Sequence, residues 1–166
     1  MSSARPTWSS SDAYRNGPAP AAASKEDAVT TPEAVFHQPR SVPLPRRIVG
    51  RLAVAAARLL ATQSPRRIRT VLGWLRRGAR PASVEQAKAA RDTVVAVSLV
   101  CASREGCVPR SLATVLLCRL RGQWPTWCVG ARRLPPFAAH AWVEADGIMV
   151  GEDYPADYFR PLFKVP

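Results

Sequence analysis

A cysteine at the start of a helix, a histidine on a later strand and a carboxylate on the strand after it are the parts of a thiol nucleophile, its base and the group that orients the base. This chain has all three between Cys107 and Asp153. Cys107 opens the run CVPRSLATVLLCRLRG. There Leu112, Val115, Leu116 and Leu120 recur at the spacing of one helical face, Pro109 fits only a first turn, and Gly122 ends the run. Unpaired N–H groups and the positive end of the helix dipole favour a thiolate at such a start, and Gly106 leaves room there for a substrate backbone.

His140 lies in AHAWVEADGIMVGED. Alternation puts His140, Trp142 and Glu144 on one strand face and Ala141, Val143 and Ala145 on the other, before a turn at Asp146-Gly147 into Ile148, Met149 and Val150. The turn decides which acid faces the histidine. A two-residue loop pairs Ala145 with Ile148 and brings Asp153 opposite His140; a three-residue loop with Gly147 left-handed brings Glu152 there instead. Asp146 is a turn residue by its spacing, and Glu144 reads as structural.

The elements that must position these groups begin after a long preface. Residues 1–45 hold seven of the sixteen prolines and no periodic apolar pattern, which predicts a disordered Pro/Ala/Ser-rich tail containing His37. From Arg46 to Thr62, Ile48, Leu52, Ala56, Leu59 and Leu60 share one face and Arg47, Arg51 and Arg58 another, an amphipathic helix too interrupted by charge to span a membrane. Ser64-Pro65 starts a second helix through Ile68, Val71, Leu72 and Leu75, closed by Gly78 and Pro81. Ser83 and Gln86 form a capping box for a third, which runs to about Val100 with Ala87, Ala90, Val94 and Val97 facing a core. After the Cys107 helix, Trp124 to Val129 reads as a strand and Arg132–Phe137 as a proline-fixed loop, and the aromatic tail from Tyr154 to Phe163 either adds an edge strand or wraps the hairpin.

The formal charge of +12 is concentrated: Arg46 to Arg80 contains ten arginines and no acid, so this basic helical hairpin meets an anionic neighbour or water. Nucleic acid is disfavoured as that neighbour, because Trp74 is its one aromatic and it has no stacking platform. Cys101, Cys107, Cys118 and Cys128 are spaced by six, eleven and ten residues, unlike paired zinc ligands, and only two histidines are present, so no metal is expected. With no secretory leader legible at the N-terminus, the cysteines read as reduced and the protein as cytoplasmic, with Cys101, Cys118 and Cys128 in the core.

Nucleophile-then-base order is that of the transglutaminase-like and papain-like thiol enzymes. Within that class CVPRSL, the basic WC-VGAR segment, PFAAHAWVE-DG and VGE closely resemble the lasso-peptide leader peptidases, the B2 proteins, over about residues 83–166. The resemblance implies an α+β fold, a transglutaminase-like cysteine protease core with helices packed on a short antiparallel sheet. The domains expected are a tail (1–45), a basic hairpin (46–80) and a peptidase core (81–166).

It further implies Cys107 as nucleophile, His140 as base and, twelve residues after the histidine, Glu152 as the acid, although the family more often has Asp there; Asp153 is the reserve. Arg132, Arg133 and Phe137, in a loop that lies near the family's active site, and Trp142 are the substrate contacts expected. No cofactor is needed. The implied partners are a lasso precursor peptide, an ATP-dependent cyclase similar to asparagine synthetase, and a winged-helix leader-recognition protein. Nothing before Ser83 shows the strand alternation of a winged helix, so that protein is expected as a separate chain, with the hairpin as docking surface. Two other readings of the same residues are a transglutaminase or acyltransferase and a non-catalytic basic binding module.

Overall fold

The computed structural model describes residues 42–155 and 157–166; the tail expected over 1–45, up to residue 41 and including His37, lies outside them. Prolines set the first two helices. α1 (Leu44–Ala61) carries Pro45 in its first turn and α2 (Pro65–Leu75) begins on Pro65, where a missing N–H breaks no helical bond. After the short strand β1 (Arg80–Pro81), α3 (Val84–Val97) has the expected capping box: Gln86 N–H donates to Ser83 Oγ (3.4 Å) and Ser83 N–H to Gln86 Oε1 (3.0 Å). It ends before Val100 because Ser98 is extended and recaps a four-residue helix, α4 (Leu99–Ala102), by accepting the Cys101 N–H at 3.3 Å. A 3-10 turn, Arg104–Gly106, then leads into α5 (Cys107–Leu120).

α5 is the centre of the fold formed by the described residues. Arg110 to Val115, Leu117 and Cys118 are all buried, since α1 and α3 pack on one side of it and the sheet on another. Leu120, expected on the buried face, is 70% exposed at the helix end, where Arg119 instead donates to the carbonyl of Leu75.

The amphipathic reading of α1 is inverted. Its buried face is small, Gly50, Ala53, Val54 and Ala57, while Leu44, Ile48, Leu52 and Leu59 point outward with the arginines. Close approach is the reason. A Cβ at Gly50 would lie 3.2–3.3 Å from the side chains of Val97 and Thr93, so only small residues let α1 sit this near α3. Ala57 and Leu72 are fully buried in the same cluster as Leu112 and Val115, so the hairpin shares one core with the rest of the described chain.

Two sheets result. β2 (Gln123–Trp124) pairs in parallel with β1, and Pro125 separates it from β3 (Thr126–Arg132), which breaks the single strand expected over 124–129. β3 is flanked by β4 (Ala139–Ala145) and β6 (Phe159–Val165), and β5 (Ile148–Met149) lies beyond β4, giving the antiparallel order β5-β4-β3-β6. The aromatic tail therefore adds an edge strand. Trp127, Val143 and Ala145 face the helices, with the Trp127 indole donating to Ser111 Oγ on α5 at 3.0 Å, and Cys128, Trp142 and Phe159 cluster on the opposite face. No helix of the described residues is long and apolar enough to cross a membrane.

Candidate active site

Cys107 is the first residue of α5, and its N-cap, Gly106, offers no side chain to the free N–H groups of the first turn. Gly106 serves packing, not a substrate. It is buried, and a Cβ there would stand 1.9 Å from the Val100 carbonyl oxygen and 3.0 Å from the Cys101 Cα, so the glycine lets α4 lie against the turn that leads into Cys107. All four cysteines are free, but their environments differ. Burial pushes the Cys118 thiol up to about 11 and Cys128 higher still, whereas half-buried Cys107 is held below the ordinary thiol range. The neighbouring His140 imidazole is the largest cause, and the Ala141 backbone and the charges of His140 and Arg110 assist against burial.

His140 is the second residue of β4. Its Nε2 lies 3.3 Å from Glu152 Oε2, which leaves Nδ1 as the ring nitrogen for the thiol. Burial lowers the affinity of the imidazole for a proton, but the Cys107 thiol and the Glu152 carboxylate beside it outweigh this and raise its pKa to about 9. The ring is stacked on Phe159 (centroids 4.6 Å, planes 18° apart) and more distantly on Trp142 (6.0 Å), with the edge of Tyr154 at 6.4 Å. The imidazole is thus held between a hydrogen bond and a flat aromatic floor.

The turn is the two-residue form, with Ala145 opposite Ile148 and both Asp146 (φ 51°) and Gly147 (φ 77°) left-handed. On an unbroken ladder that register places Asp153 opposite His140. The ladder does not continue: β5 stops at Met149, Val150 N–H makes one more bond to the Val143 carbonyl (3.0 Å), and Gly151 turns left-handed (φ 67°). Glu152 therefore swings to the imidazole while Asp153 is exposed.

Two arginines meet the other carboxylate oxygen. Arg91 of α3 stands 3.7 Å and Arg110 of α5 3.6 Å from Glu152 Oε1. Burial alone would raise the Glu152 pKa; His140 and these two guanidinium groups bring it below the ordinary carboxylate value. Neither arginine, nor Phe159, was singled out among the candidates above. A signal existed for both arginines: Arg110 is three residues after Cys107 and Arg91 four after Ala87, each on the inward face of its helix.

The other candidates are dispersed. Arg132 lies over the Tyr158 ring (5.1 Å) and donates to its hydroxyl, and Arg133 forms an exposed pair with Asp157 at 3.6 Å. Phe137 is 74% exposed in the intervening loop. Trp142 is buried and its indole donates to Glu144 Oε1 at 2.9 Å, so it floors the imidazole and has no free face for a substrate. Glu144 also holds Lys164 (2.6 Å), which makes it a sheet-face residue remote from the acid's task.

What this arrangement can do is move a proton from Cys107 to His140 and keep the resulting ion pair aligned. No curated protein and no solved structure gives a match to the chain. The profile of the transglutaminase-like superfamily matches residues 50–164, taking in α1 and α2 as well as the site. This chain belongs to the transglutaminase-like superfamily, whose chemistry is of the cysteine-peptidase or transglutaminase type.

Proposed function

We propose that the protein is a cysteine peptidase that removes the leader from a lasso-peptide precursor before macrolactam closure. The observation that carries this reading is the lowered Cys107 thiol beside a His140 held by Glu152, set in the CVPRSL and AHAWVE wording of the leader peptidases. In the proposed reaction His140 takes the Cys107 proton, and the thiolate attacks the carbonyl carbon of the amide joining leader and core. The backbone N–H of Cys107 is one donor to the oxyanion. His140 returns the proton to the departing core amine, and water, deprotonated by His140, releases the leader carboxylate and frees the thiol.

The partners proposed are a separate winged-helix recognition protein and the ATP-dependent cyclase, with the protein acting in the cytoplasm. The outward Leu44, Ile48, Leu52 and Leu59 beside Arg47, Arg51 and Arg58 on α1 support a docking face there. The test combines purified protein with the precursor encoded beside its gene, with and without the recognition protein and the cyclase, followed by mass spectrometry. Separate leader and core that vanish with Cys107→Ala support the peptidase. A product joining two species identifies an acyltransferase on the same thiol, and binding untouched by Cys107→Ala with no new product identifies a binding module.

A further inference from the structure

Glu152 reaches His140 against the register of its own hairpin, and something must hold it there. The strand geometry offers Asp153, one residue later; left-handed Gly151 takes the chain off the ladder. The surroundings of that glycine are specific. A Cβ on Gly151 would stand 2.7 Å from the Arg91 guanidinium, so the bare glycine gives Arg91 access to the backbone beside Glu152. From α5, Arg110 approaches the same oxygen of Glu152, Oε1, leaving Oε2 for His140.

Arg110 also has a second attachment. Its Nη1 donates to the carbonyls of Cys101 (3.0 Å) and Ser103 (3.1 Å), in the segment that runs directly into Cys107. One buried guanidinium thus ties the turn before the nucleophile to the acid behind the base. We infer that Arg91 and Arg110 are positioning residues that, with Gly151, select Glu152 over Asp153 and fix its carboxylate on His140. The inference rests on the Cys107–His140 reading of the site and deepens it.

The charged groups around the pair are few. Glu152 faces His140 from β4, Arg91 from α3 and Arg110 from α5, while Asp92 and Asp153 act on Arg91 from outside. Removing Arg91 therefore leaves Glu152 with one cation fewer and a free path to turn away. The imidazole then loses its orienting partner, and the thiolate at Cys107 becomes less populated.

Alkylation of the folded protein by iodoacetamide as a function of pH reads this out without a substrate, with mass spectrometry assigning the label to Cys107. Arg91→Met is expected to shift the Cys107 profile upward by about one pH unit, a roughly tenfold slower reaction on the acidic limb. Arg91→Lys, which keeps the charge, is expected to restore most of the rate, and Lys88→Met, on the exposed side of the same helix, to change nothing. Arg110→Lys supplies the second arm, and circular dichroism checks that each variant is folded. A folded Arg91→Met with the wild-type profile overturns the inference, as does a loss that Arg91→Lys fails to rescue. If the wild-type Cys107 itself reacts no faster than an ordinary thiol, the active-site reading fails first, and the two failures are distinguishable.

Discussion

The His140 imidazole lies nearly flat on the Phe159 ring, 4.6 Å between centroids, although the two residues come from strands on opposite sides of β3. Gly130, opposite His140 on one side and Pro161 on the other, has no room for a side chain on this face: a Cβ there would meet the Arg160 carbonyl at 2.3 Å and Trp142 at 2.9 Å. The imidazole is therefore oriented from β6 as well as from Glu152. Phe159→Leu keeps much of the buried volume but removes the flat surface. Its expected result is a folded protein, destabilised by about 1 kcal/mol, whose cleavage rate falls more than its precursor affinity. A kcat and KM comparison checks it.

Proton affinities in the site set a pH window. Glu152 is lowered from 4.5, so its contribution to stability is present above that value and lost as pH falls through its folded value. His140 is raised from 6.5 to about 9, so its contribution is complete below 6.5 and lost as pH rises through about 9. Urea midpoints measured from pH 3 to 10 should show a plateau between about 4.5 and 6.5 and a decline from there to about 9, and Glu152→Gln should flatten the acid side. Thiolate absorbance in the ultraviolet, with Cys107→Ala as blank, should appear below the ordinary thiol range.

Gly106→Ala is expected to act on the nucleophile through the backbone. Its methyl group has no space beside the Val100 carbonyl, so α4 or the first turn of α5 must move. The expected loss is about 2 kcal/mol of stability together with the fast alkylation of Cys107. Thermal denaturation and iodoacetamide kinetics measure the two separately.

The two faces of α1 should respond oppositely to substitution. Ala57 is fully buried, and Ala57→Leu forces α1 away from its neighbours at a cost of about 1–3 kcal/mol. Leu52→Asp, on the outward face, should stay within about 0.5 kcal/mol of wild type. In the reconstituted cleavage reaction the same Leu52→Asp should weaken stimulation by the recognition protein. Because α1 and α2 share the core, point changes test docking where deletion of residues 46–80 would remove buried structure.

Local patterns made much of this architecture legible. The capping box at Ser83, the first-turn prolines, the Asp146-Gly147 turn and the alternation around His140 each depend on a few neighbouring residues, and each is found in the fold. What depended on distant chain was hidden. The side of α1 that packs is decided by how near α3 and α5 lie, which no helical wheel contains. The choice of Glu152 came through the resemblance, since the turn alone left Glu152 and Asp153 both open, and the two-residue form it takes leads on an unbroken ladder to Asp153. Gly151 and two arginines from other helices overrule it. Phe159 sits in a proline-interrupted tail whose pairing with β3 is a long-range event.

That pairing has a consequence for when the site exists. Cys107, His140 and Glu152 all precede Phe159 in the chain, Glu152 by only seven residues, yet β6 must still add to β3 before the imidazole has its floor. Assembly of the Cys107–His140–Glu152 cluster is thus coupled to closure of the most sequence-distant edge of the sheet, which is slow relative to local helix formation. Until the last strand of the sheet is in place, the Cys107, His140 and Glu152 cluster lacks its aromatic floor.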